Sequence, residues 1–337
     1  MIECYAVAGV AQLVEQLIRN QQVTGSSPVT SSNGSILTMS MLPFIFRTGK
    51  GGAEMDLCNI GVIKEVMSEA GITFRKEFGQ NFLISRIIPE NIADNAAFSE
   101  ETLILEIGPG IGCLTKELAE RYKRVVAVEI DKGLIPVLSK TLAEYDNVTV
   151  INGDIMKTDL KEIINTYSEG MPVSVCANLP YYITTPILMY LLESGVKFSS
   201  ITVMVQNEVA SRLVAPAGSS DYGAITAVLG FYGEARKLFK VSAGSFMPAP
   251  KVDSAVVKID LYQEPKYFPK DERFFRNLIK AAFEMRRKTL VNAINSKFSH
   301  LDKSRIADAL ISLGFAETVR GEKLSTEDFV NLSNMLI

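Results

Sequence analysis

Leu103-Ile104-Leu105-Glu106-Ile107-Gly108-Pro109-Gly110-Ile111-Gly112 is the stretch on which the reading of the fold turns. Five mostly apolar residues run into a glycine-rich turn, and a helix-like run over residues 114–121 follows at once. Strand, tight turn and helix in that order form the first unit of an open α/β sheet. Glycine lets the backbone approach a ligand closely and aims the amides of the following helix at it. Glycine turns of this spacing also occur in dinucleotide enzymes, so the turn alone names a nucleotide-like ligand and nothing finer.

The same alternation recurs along the chain. Strand-like runs at residues 125–130, 148–152, 173–177 and 201–206 each precede a helical pattern. This predicts an α/β, Rossmann-like, doubly wound parallel sheet. Residues 237–241 and 254–261 then read as an antiparallel hairpin, joined through the proline-rich loop Phe246-Met247-Pro248-Ala249-Pro250. Residues 263–270 carry Pro265 and Pro269 and read as a linker. Residues 271–337 read as a small all-helical domain, with an amphipathic period over 302–313 and Gly314 as its stop. The expected organisation is an extension over 1–54, an α/β domain over 55–262 and a helical domain over 263–337. The extension is rich in Gly, Ser, Thr and Asn over residues 21–35 and broken again at 49–52. It is expected to be disordered or to reflect an upstream start codon, with Met55 as the functional start.

Composition narrows the chemistry. The chain has 337 residues and 47% hydrophobic content, enough for a catalytic domain and a smaller one. No apolar stretch reaches the roughly 20 uncharged residues of a membrane helix. No secretory leader is evident, so a soluble cytoplasmic protein is expected. Four cysteines, Cys4, Cys58, Cys113 and Cys176, are scattered without a paired spacing. Neither a disulfide framework nor a zinc site follows. His300 is the only histidine, which removes Ser-His-Asp, Cys-His and multi-histidine metal chemistry. No metal is expected. The net charge of −3 means that any nucleic-acid contact must come from a local patch. Arg286-Arg287-Lys288, in a helix-like run after Arg273, Arg276 and Lys280, is that patch; taken alone, such a triplet also fits a solvated helix face.

Ligands of open α/β sheets bind beyond the carboxyl ends of the strands, and the chemistry-bearing residues fall there in succession. Glu129 ends the second strand, where a carboxylate can accept both hydrogen bonds of a ribose diol. Asp154 follows the third and suits the exocyclic amine of an adenine. Asn178-Leu179-Pro180-Tyr181 ends the fourth. The N6 amine of adenine is a poor nucleophile because its lone pair is delocalised into the ring. An Asn carbonyl together with a backbone carbonyl of Leu179 or Pro180 can accept its two N–H bonds. That draws the nitrogen toward a tetrahedral shape with its lone pair aimed at an incoming methyl group. Tyr181 can stack on the base and Phe246 can close its other face, although for either aromatic taken alone core packing is the stronger reading.

Gly79-Gln80-Asn81-Phe82-Leu83, the glycine turn from Glu106, Val128-Glu129-Ile130-Asp131, Gly153-Asp154, the Asn178 motif and the run from Ser245 through Val257 together closely resemble the ribosomal RNA adenine dimethyltransferases. The resemblance covers the chain from about residue 60 onward. It implies that S-adenosyl-L-methionine is held by Asn81, Leu83, Gly108, Gly110, Glu129, Asp154 and Asn178. It implies catalysis by Asn178, Leu179, Pro180, Tyr181 and Phe246, and RNA contact by Arg286, Arg287 and Lys288. The implied reaction is N6,N6-dimethylation of two adjacent adenosines in the 3′-terminal hairpin of small-subunit rRNA within a pre-30S particle. The implied enzyme is a monomer with no membrane partner. Three features favour this small-subunit branch over the large-subunit (23S) Erm-type dimethylases that confer antibiotic resistance. They are Leu179, the run Gln206-Asn207-Glu208-Val209-Ala210 with Arg212, and Leu313-Gly314-Phe315 followed by Arg320-Gly321-Glu322. A catalytically silent RNA-binding assembly factor is the alternative of a different class, and intact Asn178, Tyr181 and Glu129 count against it.

Overall fold

The computed structural model of the chain describes residues 44–45, 55–72 and 80–337. In chain order the strands are β1 (Phe44–Ile45), β2 (Phe82–Leu83), β3 (Leu103–Ile107), β4 (Arg124–Glu129), β5 (Val148–Asn152), β6 (Val173–Asn178), β7 (Ser200–Gln206), β8 (Gly233–Val241), β9 (Phe246–Met247) and β10 (Ser254–Leu261). The helices are α1 (Ile60–Glu69), α2 (Ile87–Ala93), α3 (Cys113–Arg121), α4 (Ile135–Thr141), α5 (Leu160–Tyr167), α6 (Thr184–Glu193), α7 (Asn207–Leu213), α8 (Ala224–Tyr232), α9 (Glu272–Glu284), α10 (Leu290–Lys297), α11 (Lys303–Ser312) and α12 (Thr326–Leu336).

The five apolar runs form the parallel core of one sheet, in the order β5-β4-β3-β6-β7. The chain first winds outward from β3 to β5, then returns to begin again at β6, so strand order reverses between β3 and β6. That reversal opens a crevice at the carboxyl ends of these strands, where ligands of doubly wound sheets bind. Strand β10 pairs antiparallel with β7 (Ser254 opposite Gln206) and β8 pairs antiparallel with β10, as the hairpin pattern predicts. Residues 1–54, expected to be disordered or foreign, lie outside the described residues except for β1, which pairs antiparallel with β5 at the sheet edge. A second, two-stranded sheet pairs β2 with β9, setting Phe82 opposite Met247 and Leu83 opposite Phe246.

Alternate residues of the central strands feed opposite faces of the sheet, and both faces are covered. Leu103, Leu105, Val126 and Val128 pack with Leu188 and Leu191 of α6 on one side. Ile104, Val125 and Ala127 pack with Leu114 and Leu118 of α3 and Leu138 of α4 on the other. Helices start where side chains can satisfy their free amides: Asn59 caps α1, Asp159 caps α5 and Asp271 caps α9. Ser325 and Asp328 form a reciprocal capping box on α12.

The carboxy-terminal helices build a third core from Phe275, Leu278, Ile279, Leu290, Ile306 and Phe329. Helix α8 belongs to two cores at once. Its Ile225 and Leu229 pack into the sheet layer, while Ala227 and Val228 pack among the carboxy-terminal helices. Among the described residues no helix is long and apolar enough to cross a membrane.

The contact between α8 and α12 leaves no room at Gly230. An added Cβ there would collide with Thr326 Oγ1, and that hydroxyl donates a buried hydrogen bond to the Ala227 carbonyl at 2.9 Å. Gly230→Ala should therefore cost about 1–3 kcal/mol of stability by overpacking. Equilibrium urea unfolding is the check, and an unchanged midpoint would show that this seam is loosely packed.

Candidate active site

The crevice at the reversal point is walled by the glycine turn and Glu106 on the β3 side, by Glu129 and Ile130 from β4, by Asn178 to Tyr181 after β6, and by Gln80 to Leu83 from the approach to β2. Gly108 and Gly110 take φ values of +70° and +63°, a left-handed conformation that side-chain-bearing residues adopt only at a cost. The turn aims the Gly110 N–H at Glu129 Oε2, 3.1 Å away, while the Asp131 N–H donates to Glu129 Oε1 at 2.8 Å. A Cβ at Gly110 would press on the Phe82 ring at 3.1 Å, whereas one at Gly108 would meet nothing within 4 Å, so the floor of the crevice beside Gly108 is open.

Glu129 is 4% exposed. Burial pushes its carboxyl up to about 7, against the pull of the Asp131 and Gly110 amides. Each oxygen accepts one backbone amide and retains a lone pair for a ligand donor, the capacity that a vicinal diol requires. Glu106 lies deeper, 1% exposed, and its Oε2 has no hydrogen-bond partner among the described residues. Burial, with the Glu129 charge adding to it, pushes Glu106 up to about 8. At neutral pH it is mostly a neutral carboxylic acid, able to donate as well as accept. Sequence alone assigns Glu106 no role beyond membership of the glycine motif. The signal that could have found it is a lone carboxylate inside the otherwise apolar run of β3.

Across the crevice, Asn178 ends β6 half-buried, and its Nδ2 donates to the Asn81 carbonyl at 3.4 Å. Oδ1 is then the acceptor that remains. Leu179 anchors the next residue: its side chain is buried in the core and its N–H donates to the Met204 carbonyl at 3.1 Å. By sequence, Leu179 and Pro180 are equal sources of a backbone acceptor. The Pro180 carbonyl already accepts from Ile183 N–H at 3.2 Å and Thr184 Oγ1 at 3.1 Å. The Leu179 carbonyl accepts from no described residue, so it is the free one. Tyr181 is half-buried in the crevice wall, its hydroxyl paired with Ser254 Oγ at 2.6 Å, which fixes the ring.

The crevice gathers Asn81, Leu83, Gly108, Gly110, Glu129, Asn178, Leu179, Pro180 and Tyr181. Phe246 does not join them. Its pairing with Leu83 through β9 and β2 leaves it 3% exposed, in the hydrophobic layer that includes Leu83 and Ile88. Asp154 also lies outside the crevice wall. Its Oδ1 accepts from the Met156 N–H at 3.0 Å, capping a short turn, and its Oδ2 is 3.6 Å from Lys157 Nζ.

The basic triplet is corrected in two respects. It does not continue a helix, because α9 ends at Glu284 and the triplet occupies the turn before α10. Arg286 is also bound internally: its guanidinium donates to the carbonyls of Ser220 and Tyr222 and faces Glu322 at 3.5 Å. Arg287 and Lys288 are exposed. Among the described residues no cluster of His, Cys, Asp and Glu could hold a metal ion.

Comparison with known proteins covers most of the chain. Residues 71–337 match the family described as ribosomal RNA adenine dimethylase. The ribosomal RNA small subunit methyltransferase A of Lachnoclostridium phytofermentans is 46% identical over 274 residues, spanning 81% of this chain and 94% of the relative. Its counterpart from Streptococcus pneumoniae is 44% identical over 285 residues, spanning 84% and 98%. A dimethyladenosine transferase from Plasmodium falciparum superposes with a TM-score of 0.64 at 28% identity, over 74% of this chain and 95% of that one. The 23S rRNA methyltransferase ErmE superposes with a TM-score of 0.59 at 26% identity, over 76% and 99%.

The raised carboxyl groups carry a pH signature. Glu106 binds its proton more tightly in the folded chain, at about 8, than at its ordinary value of 4.5. Its contribution to stability is therefore complete below about pH 4.5 and is lost as pH rises through about 8. Glu129, raised to about 7, shares this window and loses its contribution in the same direction, so Glu106 supplies one of two parts of the fall. Glu106→Gln, which stays neutral throughout, should flatten the fall in stability across this window by an amount on the order of a few kcal/mol. Urea unfolding of both proteins at several pH values tests this. Parallel curves for variant and parent would contradict it.

Proposed function

The chain belongs to the ribosomal RNA adenine dimethylase family, and from that premise we propose that Asn178 to Tyr181 present the N6 amine of an rRNA adenosine for methylation, with Glu129 and the glycine turn holding the methyl donor. The protein is an rRNA adenine dimethyltransferase that acts on small-subunit rRNA. The relatives named for the small subunit are 46% and 44% identical to it, against 26% for the 23S enzyme. Two adjacent adenosines of the 3′-terminal hairpin, in a pre-30S particle, are the proposed target.

The residues present fit S-adenosyl-L-methionine. The buried Glu129 carboxylate keeps a lone pair on each oxygen for the ribose diol, Glu106 Oε2 is buried with no hydrogen-bond partner among the described residues and can donate or accept, and the floor beside Gly108 is open. When bound, this cofactor supplies an electrophilic methyl group on a sulfonium.

The observation that carries the reading is the pair of acceptors left at the end of β6, Asn178 Oδ1 and the Leu179 carbonyl, in the same crevice as Glu129. Each accepts one N6–H, which draws the nitrogen out of conjugation and frees its lone pair. Asn178 is held by Asn81, Leu179 by Met204 and Tyr181 by Ser254, so the acceptors and the stacking ring are positioned before substrate arrives. The amine loses its proton after transfer, when its acidity has risen. No strong base is required of the chain.

Arg287 and Lys288 are the proposed phosphate contacts, with Arg286 holding their turn in place. The helical span over 263–337, packed on α8, is the proposed RNA-binding part.

Asn178→Ala removes one acceptor preorganised for the transition state. Single-turnover methyl transfer at saturating cofactor should fall by about two to three orders of magnitude. Binding of pre-30S particles should persist, since phosphate contacts dominate affinity for nucleic acid. Wild-type turnover would remove Asn178 from the chemistry, and failure to bind the particles would make it structural.

Replacing Arg287 and Lys288 by Ala should weaken RNA binding and reduce the slope of log affinity against log salt by about 0.7–0.9 for each phosphate no longer neutralised. An unchanged slope in a salt titration would return both residues to a merely solvated surface.

A further inference from the structure

One pair of nucleophilic side chains stands beside the crevice without a part in the proposed chemistry. Cys58 lies just before α1 and Cys113 is the first residue of α3, directly after Gly112, yet their sulfurs are 2.8 Å apart across 55 positions of sequence. Cys58 is buried, while Cys113 is partly exposed and lines the crevice. Around them Leu57, Ile63, Val66 and Met67 pack on Phe82 and Ile111. The two thiols therefore sit at the seam between the segment carrying α1 and the glycine turn. Cys176, by contrast, is fully buried within β6.

A disulfide has an S–S length of about 2.05 Å, so bond formation asks for roughly 0.8 Å of sulfur travel from the observed 2.8 Å. We propose that Cys58 and Cys113 are a redox modification site, whose oxidation to a disulfide staples α1 onto the glycine turn. The oxidant is a low-molecular-weight disulfide. Cys113, reached through the crevice, attacks one of its sulfurs as the thiolate and releases one thiolate leaving group. Cys58 gives up its proton and attacks the Cys113 sulfur of the mixed disulfide, expelling the second thiol. The protein loses two protons and two electrons, and the oxidant is reduced to two thiols.

The hydrogen bond with Cys58, and burial, push the Cys113 thiol well above its ordinary value. Its thiolate is scarce at neutral pH, so exchange is slow there and quickens as pH rises.

The test uses the full chain and oxidised glutathione at pH 7 and pH 9, followed by alkylation, digestion without reduction and mass spectrometry. The expected product is a peptide pair linking Cys58 to Cys113, formed at least about tenfold faster at pH 9 and reversed by dithiothreitol. Because the link closes a long loop in the unfolded chain, the thermal midpoint of the oxidised protein should rise by roughly 5–10 °C. Cys58→Ser, or Cys58→Ala where the serine variant folds poorly, should show neither the link nor the rise. Absence of the 58–113 pair, a link to Cys4 or Cys176 in its place, or a linked protein with an unchanged midpoint would each overturn the proposal. None of these readouts depends on methyl transfer, so failure here leaves the reading of the crevice separately testable.

Discussion

A carboxylate buried at a strand end against backbone amides is the constraint on which the rest of the site depends. Burying an ionised group costs several kcal/mol unless hydrogen bonds offset it, and Glu129 is 4% exposed. Its compensation comes from the N–H groups of Gly110 and Asp131. Gly110 supplies its N–H from a left-handed conformation, which glycine adopts without the steric cost a side chain would bring. Asp131 in turn caps the following turn through the Gly133 N–H at 3.0 Å and accepts from Gln80 Nε2 at 2.9 Å. One network thus ties the end of β4, the glycine turn and the approach to β2 into a single wall.

The opposite wall is built on different physics. After β6 the backbone is positioned by the buried Leu179 side chain and the Met204 carbonyl, and the polar atoms left over are acceptors without donors from the described residues. Strand order reverses between the two walls, so no strand covers the gap and a flat base can enter. Both walls rest on strands buried on both faces, which holds the acceptors at fixed positions relative to Glu129. The carboxy-terminal helices share α8 with this sheet, so packing fixes their position relative to the crevice.

Much of this is legible in the chain, for identifiable reasons. β3 and β5 fall on the residues expected from their apolar runs, β4 is shifted by one residue at both ends, and β6 and β7 each extend one residue further at one end, because doubly buried strands leave uninterrupted apolar runs. The glycine turn and Glu129 are legible because their chemistry is local to a strand end. The small sheet is not, since strands of two residues such as β2 and β9 carry no period to detect. By sequence Phe246 fits either a base-closing face or the core, and its pairing with Leu83, far away in the chain, buries it. Arg286 looks like a free cation because two of its partners, the carbonyls of Ser220 and Tyr222, belong to the backbone, and the third, Glu322, lies 36 positions away. The nearness of Cys58 to Cys113 is hidden for a related reason: 55 positions separate them, and no spacing motif announces a contact made by the fold.

The central claim is that the crevice methylates adenosines of the small ribosomal subunit. Its most direct measurement is transfer of labelled methyl groups from S-adenosyl-L-methionine to unmethylated small-subunit particles, large-subunit particles and free RNA, with the modified nucleotides mapped. The account predicts incorporation into the small-subunit particles, at N6 of two adjacent adenosines near the 3′ end of their rRNA, and none into large subunits. Methylation confined to large-subunit rRNA, or no transfer to any of the three by a folded protein that binds the cofactor, would contradict it.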